Sequence, residues 1–268
     1  MERFTLSDKL VQTSLESLAR INSKTTDLKL VLVGGMACQA HSANPELYRP
    51  TNDLDVLPSR GLSYPEFRDD VGQKIVEVLD GRGYPSSLGR TRLGYEVASN
   101  DGADVFYTHL GKLTASYLAR HAHWKQREID NAQELEIQGV KERPVLVHRI
   151  EDVLANKTRR IGKLQQMGYL SNQQQAEFEK FLDEDFESLG SIELVARLDF
   201  LKLVRESLLD ITPENFSANF DRLNHYKVLK DLYDVCLLSR VIIEGGAPLN
   251  TEYLRIAMST LPTITHVH

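Results

Sequence analysis

Apolar and polar residues alternate in two rhythms over the first half of the chain. Leu28-Lys29-Leu30-Val31-Leu32-Val33 is an aliphatic run ended by Gly34-Gly35. It predicts a strand, with a helix over Met36 to His41 beyond the glycines. Asp53-Leu54-Asp55-Val56-Leu57 predicts a second strand, punctuated by Pro58 and Gly61. Phe67, Val71, Ile75, Val78 and Leu79 repeat at helical spacing, so residues 65–80 are predicted as an amphipathic helix. Residues 92–98 and 103–107 read as two strands joined through Asn100-Asp101-Gly102, a hairpin signal. Residues 133–147 add one or two more strands.

Beyond that point the pattern turns helical. Segments 149–163, 173–188, 191–209 and 225–243 all carry helical periodicity. In the third, Leu194, Leu198, Leu201, Val204 and Leu208 form one apolar stripe. Thr212-Pro213 has the form of a cap followed by the first helical position. The expected fold class is α+β: a core of a small mixed sheet with flanking helices at 1–148, then a helical part at 149–268.

Composition narrows the function classes. The chain has 268 residues with a formal net charge of -6, and its mean hydropathy is -0.32. An acidic chain is not built for broad electrostatic coating of nucleic acid, although one local basic groove remains compatible. Leu30 to Val33 is far shorter than the roughly 18 residues of a spanning helix, and Met1 to Asp8 lack the pattern of a secretory signal. With only Cys38 and Cys236, far apart, the expectation is a cytoplasmic protein without a membrane segment, a disulfide framework or a cysteine-rich zinc site.

The chemistry concentrates between residues 33 and 55. Gly34 and Gly35 sit where a strand meets a helix, a place where a phosphate can approach bare backbone. A purely structural turn has the same pattern. Asp53 and Asp55 are two apart on a predicted strand and so share a face. Such carboxylates repel unless a cation lies between them, and Mg²⁺ is the matching hard ion. Asp104, a lone acid in Ala103-Asp104-Val105-Phe106-Tyr107, is the candidate third carboxylate. If the strands adjoin, Asp53, Asp55 and Asp104 would hold metal for phosphoryl or nucleotidyl transfer, with Asp104 the nearest proton acceptor.

Gly34-Gly35 followed by Arg49-Pro50-Thr51-Asn52-Asp53-Leu54-Asp55 resembles the signature of the AbiEii-type nucleotidyltransferases. These belong to the DNA polymerase β-like superfamily and include the MenT toxins of type IV-like toxin–antitoxin systems. Lys157, in Leu154-Ala155-Asn156-Lys157, resembles that family's later lysine helix. Lys230-Asp231-Leu232-Tyr233-Asp234 resembles its Lys-Asp-x-x-Asp helix. The resemblance implies metal binding by Asp53 and Asp55 and contact of Lys157 with the triphosphate. It makes Asp231 a further functional acid, and Arg49, Thr51 and Lys230 nucleotide-positioning or bracing groups. About seventy residues separate Lys157 from Lys230, where the family has a short link, and Met36 stands where a small hydroxyl residue is common.

The implied activity is Mg²⁺-dependent transfer of NMP from an NTP to a hydroxyl. A tRNA 3′ end would be the acceptor, and a separately encoded antitoxin the partner. Two alternatives differ in class: transfer to a protein or a small molecule such as an aminoglycoside, and non-catalytic nucleotide binding by an interaction protein. Lys157, Arg159, Arg160 and Lys163 form one basic cluster; Arg120, His121, His123, Lys125 and Arg127 form another around Trp124. Either is a candidate groove for phosphate or RNA, or a solvated helix face. The acidic segment Glu177 to Glu187 carries Phe178, Phe181, Leu182 and Phe186, as an amphipathic helix would.

Overall fold

A computed structural model describes residues 4–91, 94–111, 125–142, 145–166, 191–212, 214–245 and 249–259. The predicted helix at 173–188, its acidic run, Pro213, and Arg120, His121, His123 and Trp124 of the second basic cluster lie outside the described residues. The fold is mixed α+β. The chain divides into two compact units, Met1–Val153 and Leu154–His268.

The first unit is built on a seven-stranded mixed sheet. Its strands are β1 (Leu30–Val33), β2 (Asp53–Pro58), β3 (Ser86–Arg90), β4 (Gly94–Asp101), β5 (Asp104–Gly111), β6 (Gln133–Leu135) and β7 (Val145–Val147), in the order β3-β4-β5-β2-β1-β7-β6. β2 is central, antiparallel to β1 and parallel to β5. Its Leu54 and Val56 are buried, while Asp53 and Asp55 on the opposite face are half-buried. That alternation is the two-residue strand period seen in the sequence.

Helices α1 (Lys9–Lys24) and α2 (Gly34–His41) accompany the sheet, as do α3 (Tyr64–Glu66) and α4 (Gln73–Asp80), which are joined by a π-helical stretch, Phe67–Gly72. Phe67, Val71, Ile75 and Leu79 are buried in steps of four, while Val78 is only half-buried. Ser63 caps this segment, its side chain and that of Glu66 each accepting from the other's backbone N–H. The hairpin is longer than its apolar core suggests. Asp101 pairs with Asp104 across Gly102, whose φ of 69° suits the tight turn.

The second unit is helical where described. α5 (Ile150–Gln166) crosses the division between the units, followed by α6 (Ser191–Glu206), α7 (Phe220–Gly245) and α8 (Thr251–Ser259). Leu194, Leu198 and Leu201 of the predicted stripe are buried. Leu208 lies beyond the end of α6. α7 begins five residues before the expected 225, because a 3-10 turn at Ser217–Asn219 leads directly into it.

Buried charge closes the β7 end of the sheet. His148 donates its backbone N–H to Leu32 O at 3.0 Å, and His41 Nε2 lies 2.7 Å from His148 O. Lys125 pairs with the buried Glu128 at 3.0 Å, and Arg127 with the buried Asp152 at 2.8 Å. Glu128 Oε2 is also 3.5 Å from His148 Nε2, but Lys125 already neutralises that carboxylate. Burial, aided by Lys125, His41 and Arg127, pushes the His148 pKa down to about 3. The folded state therefore takes up that proton less readily than the unfolded chain. Stability from neutral His148 is complete above about pH 6.5 and falls as pH drops toward 3, by at most ~1.4 kcal/mol per unit. Urea titrations at pH 7.5, 6, 5 and 4 should show this loss, and His148→Gln should flatten it.

Candidate active site

Asp53 and Asp55 are placed by β2 and braced by its surroundings. Thr51 donates its hydroxyl to Asp53 Oδ1 at 2.5 Å. Thr51 is itself fixed by a two-way backbone bridge to Phe4, both bonds 2.7 Å. It is buried, so its described role is to hold the start of β2 and orient one carboxylate.

The Gly34-Gly35 turn meets the second carboxylate. Gly34 has a φ of 70°, and a β-carbon there would stand 2.5 Å from Asp55 Oδ2. A β-carbon on Gly35 would collide with the guanidinium of the buried Arg49. Both positions lack a side chain because Asp55 and Arg49 occupy that space. Gln39 of α2 fixes the Arg49 segment, donating Nε2–H to Arg49 O at 2.6 Å while its Oε1 accepts from Leu6 N at 2.9 Å. α2 begins at Gly34, next to Asp55, and the preceding Val33 offers no side-chain cap.

Asp104 is not brought to this pair. The parallel register of β2 and β5 sets Asp53 against Tyr107 and Asp55 against His109. Asp104 is three residues earlier, in the hairpin pair with Asp101, and shares its face with the buried Phe106, Thr108 and Leu110 rather than with Tyr107 and His109. Its strand does adjoin β2, as the reading of the sequence requires, but the register carries Asp104 past the site and onto the other face. Tyr107 and His109 stand in its place, their rings parallel at 5.6 Å and 7°. Glu96 of β4 pairs with His109 in register, with Oε2 3.4 Å from His109 Nδ1. Nothing in the sequence pattern singled out these three side chains, since their meeting depends on strand register.

Lys157 and Asp231 form a separate charge cluster within the second unit. Lys157 Nζ lies 2.9 Å from Asp231 Oδ1 and 2.5 Å from Asp234 Oδ2. Arg160 also pairs with Asp231. All but Arg160 are buried. Burial alone would raise the Asp231 pKa, but Lys157 and Arg160 outweigh it and hold the carboxyl below its usual range. Ile161, Val228 and Leu232 seal the same helix pair with apolar contacts. Lys230 has its ammonium 5.5 Å from the centre of the Tyr226 ring. Each described unit thus holds part of the predicted site: Gly34, Gly35, Arg49, Thr51, Asp53 and Asp55 in one, Lys157, Lys230 and Asp231 in the other.

Among the described residues, no three His, Cys, Asp or Glu side chains form a ready-made metal group. The donor set beside Gly34 is two carboxylates on one face. That suits Mg²⁺, which commonly takes one or two carboxylates and completes its shell with substrate phosphates and water. No described helix is long and apolar enough to cross a membrane.

No family model and no curated protein matches the chain. Among solved structures it is similar to an antigenic nucleotidyltransferase-like protein from Paracoccidioides brasiliensis, at 16% identity and a TM-score of 0.41, covering 76% of this chain and 93% of that one. It is also similar to a cytoplasmic RNA terminal U-transferase, at 14% identity and a TM-score of 0.24, covering 57% of this chain and 37% of that one.

Two substitutions test the packing. Gly34→Ala should destabilise the protein by about 1–3 kcal/mol in urea titration, because the alanine meets both a positive φ and the Asp55 carboxylate. Lys157→Ala should cost about 3–5 kcal/mol by the same measurement, since it strands Asp231 and Asp234 in the interior.

Proposed function

We propose that the chain is a divalent-cation-dependent nucleotidyltransferase that moves a nucleoside monophosphate from an NTP to a hydroxyl. The observation that carries this is the closure of the Gly34-Gly35 turn onto Asp55, with Asp53 beside it on the same face of β2. A glycine turn admits phosphate to the N-terminal end of α2. The adjacent carboxylate pair supplies oxygen ligands where the triphosphate would lie. A bound Mg²⁺ would supply charge neutralisation for the triphosphate and for departing pyrophosphate. The rest falls to the chain itself. Thr51 keeps Asp53 in place, and Arg49, packed under Gly35, holds the turn in shape.

Transfer joins the acceptor oxygen to the α-phosphorus and breaks the bond from that phosphorus to the bridging oxygen, so pyrophosphate leaves. The order of the motifs, from Gly34-Gly35 through Asp53 and Asp55 to Lys157 and Asp231, supports this reaction class by resemblance. The same resemblance supports an RNA acceptor, a tRNA 3′ end in particular, and a toxin role restrained by an antitoxin protein. Lys157, resembling the family's triphosphate-binding lysine, is assigned here first to the framework, because its ammonium is held by two buried carboxylates.

The test uses purified protein, Mg²⁺, total tRNA and each of the four α-labelled NTPs, with Asp53→Asn in parallel. The expected result is label on RNA from one or more NTPs, lost with EDTA and reduced ~100-fold or more in Asp53→Asn. Label on a polypeptide instead would replace RNA as the acceptor. No transfer from any NTP would overturn the proposal.

A further inference from the structure

Four residues lie in one register row across the sheet on the face that carries Asp53. Asp55 of β2 is set against His109 of β5, His109 against Glu96 of β4, and Glu96 against Gly89 of β3. Adjacent strands lie about 4.8 Å apart, so His109 stands one strand from Asp55. Gly89 lets the Glu96 carboxylate lie over β3: a β-carbon there would be 2.6 Å from Glu96 Oε1. The other oxygen, Oε2, faces His109 Nδ1 at 3.4 Å. The parallel Tyr107 ring flanks the imidazole on its own strand. The His109 side chain nevertheless keeps 34% exposure, enough for a substrate to reach it.

We infer that His109, oriented by Glu96, is the catalytic residue that accepts the proton of the attacking hydroxyl, the task expected of Asp104. The inference rests on the proposed nucleotidyl transfer. A carboxylate at Nδ1 favours the tautomer with its proton on Nδ1, leaving the Nε2 lone pair as the acceptor. The hydroxyl donates its hydrogen bond to Nε2. As its oxygen bonds to the α-phosphorus, the proton passes to Nε2 and pyrophosphate leaves with the electron pair of the broken P–O bond. Glu96 then stabilises the imidazolium, as the buried carboxylate does in a Ser-His-Asp triad. A separation of 3.4 Å before substrate arrives is within the range of catalytic contacts that tighten on binding. Glu96 is a positioning residue, acting only through His109.

The experiment combines kinetics and spectroscopy on the full chain. In the labelled-NTP assay, His109→Ala should lower kcat by about 100-fold or more with little change in the KM for NTP. Added imidazole should restore turnover at least severalfold in His109→Ala and do nothing for Asp53→Asn. Glu96→Gln should lower kcat less than His109→Ala does. Independently of activity, the ring ¹⁵N shifts of His109 in histidine-labelled protein should report the Nδ1–H tautomer at neutral pH, and Glu96→Gln should shift the balance toward Nε2–H. Transfer that needs Asp53 but survives His109→Ala unchanged would overturn the role of His109 and leave the transferase standing. So would an Nε2–H tautomer in the wild type, or an alanine variant that imidazole cannot rescue. No transfer by the wild type would overturn the transferase itself, and the role of His109 with it.

Discussion

The carboxylate of Asp55 lies where a β-carbon on residue 34 would have to be, and much of the first unit is arranged around that exclusion. The residue that follows β1 must accept a positive φ, α2 must begin there, and Arg49 must fit beneath the next glycine. The result is a turn in which backbone N–H groups and a carboxylate share one small region. Such an arrangement leaves negative charge close to the Asp53 carboxylate on the same strand face. Repulsion of that kind is relieved by hydrogen bonds, which Thr51 supplies to Asp53, and by a cation.

The second unit handles charge in the opposite way. There the carboxylates of Asp231 and Asp234 are neutralised inside the protein by Lys157 and Arg160. Taking such groups out of water costs several kcal/mol per ion, and the pairing recovers that cost only while every partner is present. A cluster of this type fixes how two helices meet more than it adds net stability. One pair of acids stays half-buried on an exposed face of its strand. The other is sealed by Ile161, Val228 and Leu232.

Legibility in the sequence followed locality. The strand at Leu30–Val33, the Asp53–Asp55 strand and the hairpin at Gly102 are written in short-range pattern and turn chemistry, and each is present. Helix α1 is not among the elements predicted from the pattern, although Leu10, Leu15, Leu18 and Ile21 are buried along it and carry a legible apolar stripe. β3 was illegible for a different reason. Ser86-Ser87-Leu88-Gly89-Arg90 has no apolar alternation, and it is a strand because β4 offers it a full edge of hydrogen bonds.

The sequence by itself determined that Asp53 and Asp55 share a face, because side chains two apart on any strand do so. It also determined that residues 34 and 35 carry no β-carbon, which is the condition for Asp55 and Arg49 to approach them. Only the tertiary structure decided which side chains stand next to that pair. Asp104 and His109 are both on the neighbouring strand, and periodicity along that strand makes no choice between them. The parallel register does, setting His109 against Asp55 and carrying Asp104 to the hairpin on the other face. Register is fixed by hydrogen bonds and packing between segments about fifty residues apart, and a shift of one residue would exchange the two faces.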